Sequence, residues 1–201
     1  MALSSLTVDK CNRVAGGIKR LLLCDLSKIT QVDYEVAPTG AGVPQHQVTD
    51  IQFATTGAAA GFVEFVFKKG EARYEASTER QDNGVDVTSV NIFMNVPAPS
   101  GAQLGAIEDL RSTCEMVAVV QEFGTDTELR FLGGDQSENG TLEFMSFNGG
   151  SGAARTDANA FELNLMGEQE QVPFIMHSKL TSGGATTVHS EIIAELLAPT
   201  V

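Results

Sequence analysis

Two runs of alternating polarity, 71–81 and 85–96, flank Asp82-Asn83-Gly84, and no other feature of this chain restricts its fold as strongly. A short Asx-Gly segment between alternating runs is the strongest local signal for a β-hairpin. Strand side chains alternate faces, so the register of the two arms decides which residues reach the core. A two-residue Asn83-Gly84 turn would set Val85, Val87 and Phe93 beside Asp82 and Arg80, mixing the two classes. A three-residue loop over 82–84, with Gly84 in a left-handed position, separates them. One face then carries Tyr74, Ala76, Thr78, Val90, Ile92, Met94 and Val96, with Arg80 opposite Asp86. The other carries Glu71, Arg73, Glu75, Ser77, Glu79, Ser89, Asn91 and Asn95. Val85, Val87 and Phe93 stay on the polar face, which is the weak point of this register.

The rest of the chain reads mostly as strands. The segment 18–26 is apolar after Gly16-Gly17, and 32–37 and 49–55 alternate. In 62–67 the set Val63, Phe65, Phe67 makes the better core face, and Lys68-Lys69-Gly70 turns into the hairpin. Pro97-Ala98-Pro99 stops the second arm. Ser100 with Gln103 forms a capping box for a helix over about 100–114, whose apolar stripe is Leu104, Ile107, Leu110 and Cys114. A buried strand at 115–123 and another at 128–132 follow. The segments 140–147, 160–166 and 171–177 form a further antiparallel run, with a glycine loop at 148–152. The segment 187–197 fits either a helix, by Ile192, Ile193, Leu196 and Leu197, or the start of a strand. The expected fold is one mainly β domain over 1–201, an antiparallel β-sandwich or barrel of about ten strands with one inserted helix.

Composition narrows the function. Thirteen Lys/Arg against 26 Asp/Glu give a net charge of -13, which argues against a nucleic-acid-binding surface, because duplex affinity comes mainly from cations on phosphates. Residues 1–100 hold nine bases and eleven acids, a net of -2; residues 101–201 hold four and fifteen, a net of -11. No apolar run approaches the ~20 residues of a membrane span. Residues 1–10 lack a basic segment followed by an apolar one, so no secretory signal is expected. Cys11, Cys24 and Cys114 match no zinc or redox spacing and read as three reduced thiols.

No catalytic or metal constellation stands out. His46, His177 and His189 have no second ligand at helical spacing, and no Gly-x-Ser-x-Gly elbow occurs. Gly133-Gly134, Gly149-Gly150 and Gly183-Gly184 fit turns rather than phosphate loops. Asp157-Ala158-Asn159 opens like a calcium loop, but Phe161 stands where an oxygen ligand is needed. Carboxylates are abundant, yet a sugar platform wants aromatic faces and the chain has no Trp and two Tyr. Neither an enzyme nor a cofactor is expected.

The order of landmarks resembles the tail tube (major tail) proteins of bacteriophages. These landmarks are Gly16-Gly17-Ile18, the long hairpin 71–96, and Pro97 to Ser100 leading into the helix at Leu104 to Leu110. The strand Met116 to Val120 follows, then Leu132-Gly133-Gly134, then Gly152-Ala153-Ala154 through Asp157, with 162–167 after it. The resemblance spans most of residues 16–177 and is one of arrangement, not of a catalytic motif.

It implies a virion structural subunit, made in the host cytoplasm. Subunits would form hexameric rings in which four strands of each join a shared barrel, and the rings would stack into a tube. Residues 1–16 would be an N-terminal arm. Further partners would be other tail proteins such as terminators or the tape measure, and DNA that passes without sticking; no membrane is involved. Glu71, Glu75 and Glu79 are then candidate lumen residues, with Lys68, Lys69 and Gly70 and the 39–47 loop, from Thr39 to Gln47, as candidate contacts between rings. A solvated sheet face is the plainer reading of the same glutamates. A capsid decoration or head–tail connector protein, or a monomeric ligand-binding β-domain, would share this composition. Most of the acid lies in residues 101–201, so either that half also supplies lumen strands or much of the acid coats the outside.

Overall fold

Alternation of small apolar runs with turns leads to strands, and the strands of this chain fold one sheet over on itself. The computed structural model describes residues 16–38, 44–57, 60–82, 84, 86–97, 100–123, 129–133, 140–150, 160–169, 174–176, 179–181, 184–186 and 189–199. The strands are β1 (Ile18–Asp25), β2 (Ile29–Pro38), β3 (Pro44–Phe53), β4 (Val63–Val66), β5 (Ala72–Arg80) and β6 (Asp86–Pro97). The helix α1 (Gly101–Ser112) comes next, followed by β7 (Met116–Glu122), β8 (Leu129–Leu132), β9 (Leu142–Gly150) and β10 (Ala160–Gln169). The short strands β11 (Phe174–Met176), β12 (Lys179–Thr181) and β13 (Gly184–Thr186) precede α2 (His189–Leu197).

Eleven of these strands share one sheet, ordered β2-β3-β11-β8-β7-β9-β10-β6-β5, with β1 pairing β7 and β4 pairing β1. The sheet turns over where β7 meets β9 through the single pair Met116–Leu142. One core fills the fold: Leu21, Leu23, Met116, Ala118 and Val120 face Val90, Ile92, Met94, Leu163 and Leu165 across it. A second core lies on the other side of β1 and β7, where Leu22, Cys24, Val117 and Val119 meet Ile192, Ile193 and Leu196 of α2. Because residues 21–24 of β1 and 116–120 of β7 are buried on both faces, they read as unbroken apolar runs rather than alternations. The mainly β, antiparallel, sandwich-like fold with an inserted helix stands, and the sheet does not close into a barrel.

The hairpin register is the three-residue one. Ala72 pairs with Met94, Tyr74 with Ile92, Ala76 with Val90 and Arg80 with Asp86. Gly84 takes a φ of 84°, and Arg80 Nε lies 3.0 Å from Asp86 Oδ1. Burial on the expected core face stops early, however. Val90, Ile92 and Met94 are buried, while Ala76 and Thr78 are exposed: β5 is the edge strand, and their partners Val90 and Thr88 on β6 are both buried.

Several expectations need correction. The capping box of Ser100 and Gln103 is present, but of the predicted stripe only Ile107 is buried and Leu110 half-buried. Leu104 and Cys114 are exposed, since α1 meets the core through its central turn alone. In 62–67 Phe65 and Phe67 face the first core, but Val63 is exposed on a strand with one neighbour, and Phe62 enters the second core. The ambiguous segment 187–197 is helical over His189–Leu197, so the described residues hold two α-helices. β9 runs on to Gly150, which makes the start of the supposed 148–152 glycine loop a strand. Cys11, His177 and Asp157-Ala158-Asn159 lie outside the described residues.

Candidate functional site

The first core needs only one face of β5, β6, β10 and β9, which leaves the opposite face of this four-stranded sheet without a covering layer. Register fixes what that face holds. Glu162 pairs with Asn95 and Asn148; Asn164 pairs with Phe93 and Ser146; Met166 pairs with Asn91 and Glu143; Glu168 pairs with Ser89. On β5, Arg73 pairs with Phe93, Glu75 with Asn91 and Glu79 with Val87, and Glu71 continues the same alternation. Six glutamates, Glu71, Glu75, Glu79, Glu143, Glu162 and Glu168, therefore share this face with one cation, Arg73.

Sequence reasoning found the three glutamates of the hairpin and missed the three of β9 and β10. Those three come from residues 101–201, so the second half does contribute acid to the sheet face that carries Glu71, Glu75 and Glu79. The alternation of Glu162 with Leu163 and Leu165 marked a half-solvated strand, but nothing local says which strand lies beside it.

The carboxylates differ in freedom. Glu71 is half-buried, and its Oε2 accepts the Lys68 backbone N–H at 2.7 Å, closing the turn at Lys68, Lys69 and Gly70. Gly70 there takes a φ of 90°, which favours glycine. Glu75 pairs with Arg73 at 3.0 Å. Glu79, Glu143, Glu162 and Glu168 are exposed. Arg73 is held flat: its guanidinium carbon lies 4.4 Å from the centre of the Phe93 ring. That contact explains why an aromatic residue sits on the polar face.

A groove of about 500 Å³ crosses the face near Gly16, Gly17 and Gly70, with Arg73, Asn95 and Glu162 among its walls. Asn95 and Asn164 each keep a buried Oδ1 that accepts no hydrogen bond among the described residues. Such a group costs on the order of 1–3 kcal/mol.

Of the other candidate contacts, Lys68, Lys69 and Gly70 form the exposed turn expected between β4 and β5. Gln47 lies in strand β3, its backbone between Glu35 of β2 and Ile175 of β11, and not in a loop. Its segment is paired because β2 and β3 form a hairpin whose arms reach Pro38 and Pro44. Thr39 lies outside the described residues. Among the described residues, no three His, Cys, Asp or Glu come together as a metal site, and no helix is long and apolar enough to cross a membrane. Cys24 is buried and Cys114 exposed, both as free thiols; burial pushes the Cys24 thiol up to about 11, with Lys28 opposing and Asp25 adding.

Beside the pair Met116–Leu142, β9 has no strand along its outer edge among the described residues, and β5 has none along its own. The site is thus a four-stranded sheet with one acidic face and two open edges. Comparisons with protein-family models, with curated proteins and with solved structures find no match to this chain.

Proposed function

We propose that this chain is a non-enzymatic structural subunit of a virion, a phage tail tube protein whose copies join edge to edge into hexameric rings. The observation that carries the reading is the four-stranded sheet with six glutamates on its uncovered face and open edges on both sides. Its strands alternate in direction, so β5 and β9 run opposite ways. Identical copies placed head to tail can then pair β9 of one with β5 of the next in the antiparallel sense. Each added copy continues one sheet and keeps the glutamates on one side. Closing such a row removes both open edges of this four-stranded sheet, the general solution to a strand edge that would otherwise recruit foreign chains.

The acid then lines a lumen. DNA sliding past it meets like charge, and no counterions are released to hold it. Arg73, the one cation there, is already engaged by Glu75 and Phe93. The Lys68-Lys69-Gly70 turn leaves the sheet end where a second ring would stack. Terminator and tape measure proteins would be the remaining partners, and the tail of the virion the place.

Negative-stain microscopy of the purified chain tests this directly. Sixfold rings or tubes are the expected result. Trimers would instead favour a shell decoration protein, and featureless monomers with a ligand-dependent rise in Tm would favour a binding domain. Replacing Glu143, Glu162 and Glu168 by lysine should leave rings assembled while they begin to retain duplex DNA. Rings that still release DNA as freely as before would sink the lumen assignment.

A further inference from the structure

Three acceptor groups in the groove beside Gly16, Gly17 and Gly70 have no donor among the described residues. Strand alternation decides which side chains reach it. Met94, Leu163 and Leu165 enter the first core, so Asn95 and Asn164 face the uncovered side, and both line the groove. Their Oδ1 atoms are buried and accept no hydrogen bond. Glu162, the cross-strand partner of Asn95, is exposed and enters no ion pair or hydrogen bond among the described residues. Glu71 completes this row, because the backbone N–H of Asn95 donates to its carbonyl at 2.7 Å.

The charge of the groove is unbalanced. Glu71 and Glu162 flank Asn95 from the two neighbouring strands, so they stand two strand spacings apart, about 9–10 Å. The Lys68 backbone N–H fixes the Glu71 carboxylate in place but leaves its charge unmatched. Arg73, the one cation on the walls, is already held by Glu75 and covers Phe93. Two carboxylates therefore remain, with amide oxygens between and beside them. Calcium and magnesium ions take a shell of six or more oxygens, and among the described residues no three His, Cys, Asp or Glu come together to begin one. An ammonium group carries three donors and no acceptor, which is the complement of these walls. The groove, at about 500 Å³, has the volume of a small-molecule site. The last torsion of an asparagine side chain is broad, so each buried oxygen can turn to an entering donor at little cost.

We propose that this groove binds a short aliphatic diamine, with one ammonium at Glu71, the other at Glu162, and the amide oxygens of Asn95 and Asn164 accepting further N–H donors. The dication matches the two unbalanced carboxylates in number and in separation. The site uses residues of one chain alone, so it holds whether or not copies join into rings.

Isothermal titration of the full chain with putrescine, in about 0.15 M salt to screen diffuse attraction, tests the site. One equivalent should bind per chain. Butylamine, with a single ammonium, and Mg²⁺ should each bind about tenfold more weakly or worse, since each leaves part of the charge-assisted bonding unmade. Glu162→Gln and Asn164→Leu should each weaken putrescine about tenfold, as loss of one hydrogen bond to a charged group does. Circular dichroism checks that both variants are folded. Glu168→Gln removes the same charge from the same face about 20 Å away along β10 and should leave the affinity unchanged. Absence of saturable binding would overturn the proposal, as would full affinity in Asn164→Leu. Equal weakening by Glu162→Gln and Glu168→Gln would also overturn it, by marking attraction to the acidic face in general. Rings that assemble from a chain with no diamine affinity would leave the assembly reading intact while removing this site.

Discussion

Arg73 on β5 lies over the ring of its cross-strand partner Phe93, with 4.4 Å between guanidinium carbon and ring centre. Glu75 holds the same guanidinium from two residues along, at 3.0 Å. The pair turns an apparent defect of the hairpin, an aromatic residue on a polar face, into a lid for the ring. A double-mutant cycle with Arg73→Gln and Phe93→Leu should give a coupling of about 0.5–1 kcal/mol in urea unfolding, the range for exposed cation–π pairs. Additive effects would remove the pair from the account.

Gly61 tests the seal on the second core. A Cβ there would come within 2.4 Å of the Leu196 carbonyl oxygen, and the backbone N–H of Phe62 donates to that same oxygen at 2.7 Å. No rotamer can relieve a clash between two backbones. Gly61→Ala should lower stability by about 2 kcal/mol or more, within the range that buried strain produces. A Tm unchanged from wild type would mean that α2 moves aside freely.

The thiols should part company in kinetics and in pH. In a Cys11→Ser background, Ellman's reagent should modify exposed Cys114 promptly and buried Cys24 only on unfolding. Folding raises the Cys24 pKa from 9.0 to about 11, so the folded state holds its proton longer than the unfolded one. Stability from this group is full below pH 9 and is lost as pH rises toward about 11. Cys24→Ala should flatten that part of the Tm-against-pH curve. A curve of identical slope would count against it.

Assembly should respond to salt in an unusual direction. Copies that align their acidic faces bring six glutamates and one arginine each to a shared surface, so they repel at low ionic strength. Raising salt from about 0.05 to about 0.5 M shortens the screening length severalfold and should lower the concentration at which assembly begins. Light scattering that falls with added salt would contradict the convergence of these faces.

The hairpin register was legible because a one-residue slip exchanges whole faces, and counting apolar residues on each face decides between the two. The same counting could not say that Ala76 and Thr78 lie on an edge strand that the layer above leaves uncovered, since burial depends on what another part of the chain covers. Likewise the spacing of Leu104, Ile107 and Leu110 marks an apolar side of α1 without saying how much sheet lies under it. The acidic face was half visible. Glu71, Glu75 and Glu79 share a local hairpin, whereas Glu162 reaches them only through the pairing of β10 with β6, some 70 residues apart in sequence. A cleft between β4 and α1 left no mark in the sequence, because its walls come from β1, β4, α1 and Met116 of β7 together.

The seal between Gly61 and Leu196 also orders events during synthesis. The first core draws on residues up to Leu165, but the second waits for Ile192, Ile193 and Leu196. A nascent chain therefore leaves Val117, Val119 and Phe131 uncovered until α2 has left the ribosome. That interval is when a chaperone has something to hold.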